Sequence, residues 1–215
     1  YAEGKVNEAL VHYNFIVSKP NNNYYSEVLR YAGNISYDLK DYGQALGHYS
    51  TLEKVAVIDD DLRISIIGQM RAFWNLNNYP STVEYTNKTL ALSGIDDHVT
   101  IESLLYKGKS LKQMKQYELA LITLDSATQI TKGIKGAEAK FHKCEILYMQ
   151  KEHELCENEI MDLVKQKPSY DYWLARGIIL LGDNFVAVQD YFNAKHSLQS
   201  IVDNYDGTSK AELVK

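Results

Sequence analysis

The residue types that most often do chemistry are present in this chain, but their spacing does not assemble them. Six His stand at positions 12, 48, 98, 142, 153 and 196. Even the pair nearest in sequence, His142 and His153, lacks a ligand spacing such as HExxH, so these residues read as solvated or interhelical His rather than a metal site. Gly108-Lys109-Ser110 has the end of a phosphate-binding loop, but the upstream Gly is missing and the segment falls inside a helical pattern. Asp59 to Asp61 and Asp96-Asp97 read as charges at helix starts, where the positive end of the helix dipole favours them, rather than as Ca²⁺ ligands. No GxSxG or dinucleotide glycine pattern occurs, and nothing brings a nucleophile, a base and an orienting group together. The expectation is a non-catalytic chain with no cofactor and no metal.

The elements that would have to position any such group repeat along the chain. In IESLLYKGKSLKQMKQYELALITLDSATQITKG, residues 101 to 133, Leu104, Gly108, Leu111 and Lys115 fall at helical spacing, then Ala120, Leu124 and Ala127 do the same. The unit is helix, turn, helix. The Ala120 position recurs as Ala9, Ala45, Thr82, Ala120, Cys156 and Ala194, at steps of 36, 37, 38, 36 and 38 residues. Twelve residues before each of the last five lies the first small site of the same pair, at Gly33, Met70, Gly108, Cys144 and Gly182, with Met70 the misfit. Tyr precedes the later site by three residues at Tyr42, Tyr79, Tyr117 and Tyr191, with Val6 and His153 as substitutes.

This order of Leu, Gly, aromatic, Tyr, Ala, apolar and Ala resembles the tetratricopeptide repeat. The resemblance covers nearly the whole chain. It implies an all-α fold, a right-handed superhelical solenoid of antiparallel helix pairs that touch closely where the two small sites meet. Residues 1–215 are expected to form one elongated domain: a partial repeat at 1–20, repeats at about 24–58, 60–94, 98–133, 137–168 and 170–206, and a truncated helix at 207–215. Helices are expected at 3–18, 24–40, 42–56, from Asp59 to about Leu76, from Tyr79 to Ser93-Gly94, at 98–115, 117–131 and 170–188, with no strand. By register, Tyr1 falls late in a helix and Thr208 or Ser209 would cap a new one, so the chain reads as part of something longer.

Composition agrees with a scaffold. A net charge of −5 argues against a nucleic-acid footprint, which needs clustered Lys and Arg. No apolar run approaches the ~20 residues needed to span a bilayer. Cys144 and Cys156 fill both small sites of one repeat, with two readings open: small buried thiols in a tight contact, or a disulfide across the helix pair.

In this family binding belongs to the inner surface, built from the first helix of each pair, at positions three before, one after and four after the first small site. That registers Arg30, Asn34 and Tyr37; Ile67, Arg71 and Trp74; Leu105, Lys109 and Lys112; Phe141, Glu145 and Tyr148; and Ile179, Asp183 and Val186. Aromatics beside basic residues suit a protein or peptide partner, although the same rings could instead pack on the neighbouring repeat. Family members that grip a chaperone's C-terminal carboxylate use a Lys and Asn, then an Asn, then basic residues in successive repeats. Arg30 and Asn34 resemble the first pair, but Gly68 stands at the next Asn and Glu102 and Tyr106 at the basic positions, so that clamp is incomplete. The last repeat, with YWLARG and DYFNAKHSLQSIVDNY, is similar to repeats of large bacterial envelope proteins of this family, which implies a scaffold on the periplasmic side and would permit the disulfide. The alternative function is a self-assembling structural module that forms homo-oligomers.

Overall fold

Apolar and small residues at helical spacing can be buried only if consecutive helices pack face to face, and they do. The computed structural model describes residues 5–19 and 22–205. Among them are eleven helices: α1 (Val6–Val17), α2 (Tyr25–Asp38), α3 (Tyr42–Val55), α4 (Asp59–Asn75), α5 (Tyr79–Leu90), α6 (Asp97–Gln113), α7 (Tyr117–Ile130), α8 (Ile134–Met149), α9 (His153–Lys165), α10 (Asp171–Ala187) and α11 (Tyr191–Asn204). No strand occurs among the described residues. The fold is all-α, a helical-repeat solenoid of helix pairs. The helix start read at Thr208 or Ser209 lies outside the described residues.

The chain divides inside α6 into two compact units, residues 1–110 and 111–215. In the first, α1 to α4 each pack on the helix that follows, and α2 also touches α4; in the second, α7 to α10 do the same, and α8 touches α10. Leu29, Ala32, Ile35, Ala45 and Leu52 have no exposed surface and form the seam of the α2–α3 pair. Ala120, Leu124 and Ala127 of α7 are equally buried.

The turn inside each pair has one geometry. Lys40, Asn77, Lys115, Lys151 and Gln189 each take a left-handed backbone, with φ between 55° and 64°, two residues past the end of the first helix. The next amide then reaches back to a carbonyl five residues earlier, as Asp41 N to Ser36 O at 2.9 Å and Asp190 N to Phe185 O at 2.9 Å. Asp41, Asn78 and Asp190 go on to cap the second helix with their side chains.

Two boundaries differ from the sequence expectation: α5 ends at Leu90, before Ser93-Gly94, and the start of α8 is earlier. α8 begins at Ile134 rather than Ala137 because Gly133 is extended and leads directly into the helix. Gly136 then lets the first turn close over Thr131, whose carbonyl oxygen would lie within 2.1 Å of an added Cβ.

Candidate functional site

In the first unit, a pocket of about 480 Å³ opens where α2, α3, α4 and the start of α6 meet. Asn34, Tyr37, Ile67 and Arg71, all expected on the inner surface, line it together with Ile64 and Val99. Its most informative residue lies outside that expected set. Tyr49 belongs to α3, yet its ring passes between α2 and α4. A Cβ on Gly33 would lie 2.7 Å from the ring on one side, and a Cβ on Gly68 would lie 2.6 Å from it on the other. Two glycines facing each other thus make a slot for one aromatic ring.

Through that slot the Tyr49 hydroxyl donates to Asn34 Oδ1 at 2.8 Å. Burial pushes the phenol well above its usual range, so it stays protonated and remains a donor. The bond fixes which end of the Asn34 amide accepts, leaving its nitrogen as the end that can donate to a ligand. Tyr37 is held as firmly: its hydroxyl accepts from Asn75 Nδ2 at 2.9 Å, and its ring meets Tyr42 edge-on.

The incomplete clamp now has a structural reason. Arg71 donates through Nε and Nη2 to a single oxygen of Glu102, at 3.0 and 2.7 Å. Tyr106 stacks on Trp74 with ring centres 4.9 Å apart, and the Lys109 ammonium lies 5.0 Å from the same Trp ring. The positions that would grip a carboxylate are filled by an ion pair and a ring stack of the chain's own. Gly68 cannot carry the second Asn because Tyr49 occupies the space. Arg30 faces Asp61, at 3.7 Å, and Asp61 is therefore a buried partner as well as a helix-start charge.

The expected inner-surface residues of the second unit form a charge cluster. Glu145 accepts from Lys112 Nζ at 2.6 Å, meets His142 Nδ1 at 2.5 Å and lies 3.7 Å from Arg176. Burial alone would raise the Glu145 carboxyl, but the hydrogen bond and charge of His142, with Lys112, outweigh it and bring the pKa down to about 2. Glu145, Ile179, Asp183 and Arg176 line a small cavity of about 150 Å³. Tyr148 lies edge-on to His153, and Val186 is 47% exposed.

Two sequence expectations are corrected, and one open choice is decided. Phe141 is only 3% exposed because Trp173 packs on its ring and the Arg176 guanidinium covers it at 4.4 Å, so it is a core residue. Leu105, at 3% exposure, is one too. Cys144 and Cys156 are both free thiols, so the disulfide is absent; instead Cys156 Sγ donates to the Cys144 carbonyl at 3.4 Å. Burial pushes the Cys144 thiol far up and the Cys156 thiol to about 11. Neither thiol should therefore be alkylated by iodoacetamide at pH 8 in the native chain, and both should react once urea unfolds it; rapid native labelling would mean that this helix contact opens readily.

Among the described residues no three His, Cys, Asp or Glu gather as a metal ion requires, and no helix is long and apolar enough to cross a membrane. The groups that sequence reasoning missed are Tyr49, Gly68, His142 and Arg176. Only the first two had a usable signal, a Tyr four residues past one small site with Gly in both flanking first helices.

No family model matches the sequence. No curated protein matches it either. Solved structures do. MamA from Desulfovibrio magneticus RS-1 superposes with a TM-score of 0.69 at 18% identity, over 85% of this chain and 97% of that one. YrrB, described as a TPR protein with an unusual peptide-binding site, gives 0.65 at 14% identity over 94% and 95%. A tetratricopeptide repeat protein from Parabacteroides merdae gives 0.53 at 12% identity over 99% and 92%. The chain has the tetratricopeptide-repeat fold.

Proposed function

We propose that this chain is a protein-interaction scaffold, and that the pocket of the first unit takes up an extended peptide segment. The observation that carries the reading is the Tyr49 slot: a buried hydroxyl fixes the Asn34 amide at the mouth of a cavity floored by Ile64, Ile67 and Val99. A cavity of about 480 Å³ accommodates one apolar side chain with backbone on either side. Asn34 Nδ2 donates to a peptide carbonyl there, and Ile67 meets the side chain. Trp74, stacked and rigid, extends the same face with Lys109 beside it. Peptide binding in YrrB, a protein of the same fold, supports this use.

The test is selection of peptides from a random displayed library on the whole chain, followed by affinity measurement on variants. Asn34→Ala should weaken the selected peptides roughly tenfold, the equivalent of about one hydrogen bond to a fixed amide. Ile67→Asp should abolish binding, while Thr51→Ala, on α3 outside the pocket, should leave it unchanged. Selected peptides that bind all variants equally would refute the pocket assignment.

A further inference from the structure

A second surface stands apart from that pocket, on the outer side of the second unit. Between α7 and α9 runs a groove of about 460 Å³ lined by Leu121, Ile122, Leu147 and Leu155. Ile122 is 66% exposed and Leu155 53%, and Leu119 beside them is 55% exposed. Side chains this open contribute little to folding, and the other repeats confirm that the fold does not need them. One residue before and two after the later small site, the outward positions are Gln44 and Gly47 in α3, Ser81 and Glu84 in α5, and Asn193 and His196 in α11. In α1 they are Glu8 and Val11, the latter 67% exposed, so among the complete helix pairs from α2 to α11 large aliphatic residues stand there in α7 and α9 alone. Within the second unit, the adjoining helices α7 and α9 thus bring their outward aliphatic residues to one groove.

The rim of the groove is acidic. Asp125 on one wall and Glu159 on the other both bind the single Lys143 at its base, at 2.7 and 3.2 Å, so two carboxylates face one ammonium. Lys143 is largely buried, with 12% of its side chain exposed, whereas Asp125 retains 45% and Glu159 29%. The carboxylates therefore present the outward field. The Asp125 carboxyl is held below its ordinary range by its hydrogen bond to Lys143 and stays ionised. Glu118 and Asp162, both exposed, continue the two helical stripes at spacings of four and three residues.

From the apolar floor and acidic rim together, we infer that the α7–α9 groove docks an amphipathic peptide segment of a partner protein, apolar on one face and flanked by Lys or Arg. Apolar contact supplies the attraction, and the surplus carboxylates select the basic flank. The site goes beyond the pocket of the first unit, and neither depends on the other.

The probe is a short labelled peptide of Leu and Lys with Leu at helical spacing, titrated beside its Leu and Glu counterpart. The Lys peptide should bind, and more weakly as salt rises; the Glu peptide should not. Ile122→Ser with Leu155→Ser should cost the Lys peptide at least tenfold, while Ile67→Asp in the first unit should cost it nothing. Both substituted residues are exposed, so folding, checked by circular dichroism, should be unchanged. Glu118→Lys with Asp162→Lys provides the independent arm and should reverse the preference toward the Glu peptide. Equal binding to wild type and the Ser variant would overturn the inference. So would wild-type self-association by sedimentation that the Ser variant abolishes, since a second copy would then be the occupant.

Discussion

Gly68→Ala should destabilise the first unit by about 3 kcal/mol, the upper part of the range for overpacking a filled core. The added methyl would lie 2.6 Å from the Tyr49 ring, and the ring has nowhere to retreat, because Gly33 on the other face is already within 2.7 Å of it when a Cβ is drawn there. Small-to-large changes are mild when a flexible neighbour gives way. Here the neighbour is a rigid ring between two helix backbones. Trp74 lies in this unit and Trp173 in the other, so urea unfolding of a Trp173→Phe background reports the first unit alone. Tyr49→Leu should recover most of the loss in the Gly68→Ala chain, although it costs the wild type stability. A loss below about 0.5 kcal/mol in the single variant, or no rescue in the double, would show that the ring is not held as described.

Glu145→Gln should remove about 3 kcal/mol from the second unit at neutral pH and flatten its acid sensitivity. The carboxyl falls from its ordinary 4.5 to about 2 in the folded chain. A group with a depressed folded pKa contributes stability that is fully present above the unfolded value and lost as pH falls through the folded one. The wild type should therefore lose about 3 kcal/mol between pH 4.5 and pH 2 beyond what the variant loses. Other acids, Asp125 among them, titrate in both chains and cancel in the difference. Only 19% of the Glu145 side chain and 10% of that of Lys112 are exposed, so solvent screening takes little from this figure. Trp173, 5.8 Å from His142, is the natural reporter of urea unfolding at each pH. Parallel pH dependence in the two chains would mean that the cluster is not held together by this carboxylate.

Most of the fold was legible because it rests on a local quantity, the recurrence of small residues at a step of about one helix pair. Gly33 with Ala45 and Gly182 with Ala194 fix where two helices touch, and the turns between them follow. The site was legible only by direction. Register says which way a side chain leaves its helix; it does not say whether the next repeat covers it. Asn34, Tyr37, Ile67 and Arg71 do meet at one pocket. Phe141 leaves its helix in the corresponding direction and is covered by Trp173 and Arg176 of α10, which no spacing within α8 announces. The choice for Cys144 and Cys156 turned on the geometry of two thiols in one contact, where a hydrogen bond to a carbonyl replaces the covalent link. The register of the first helices does not announce the α7–α9 groove, since its walls belong to second helices.

The path of Tyr49 through the helix layer bears on how this kind of protein can be modified. Repeat proteins are commonly regarded as modular, with recognition changed by exchanging surface residues on one helix face. Here the residue that orients Asn34 is rooted in α3 and reaches the pocket between α2 and α4. Transplanting Asn34, Tyr37 and Arg71 into another repeat would carry over the surface without its support. The smallest portable piece of the Tyr49–Asn34 arrangement is three consecutive helices, α2 to α4, with both glycines included.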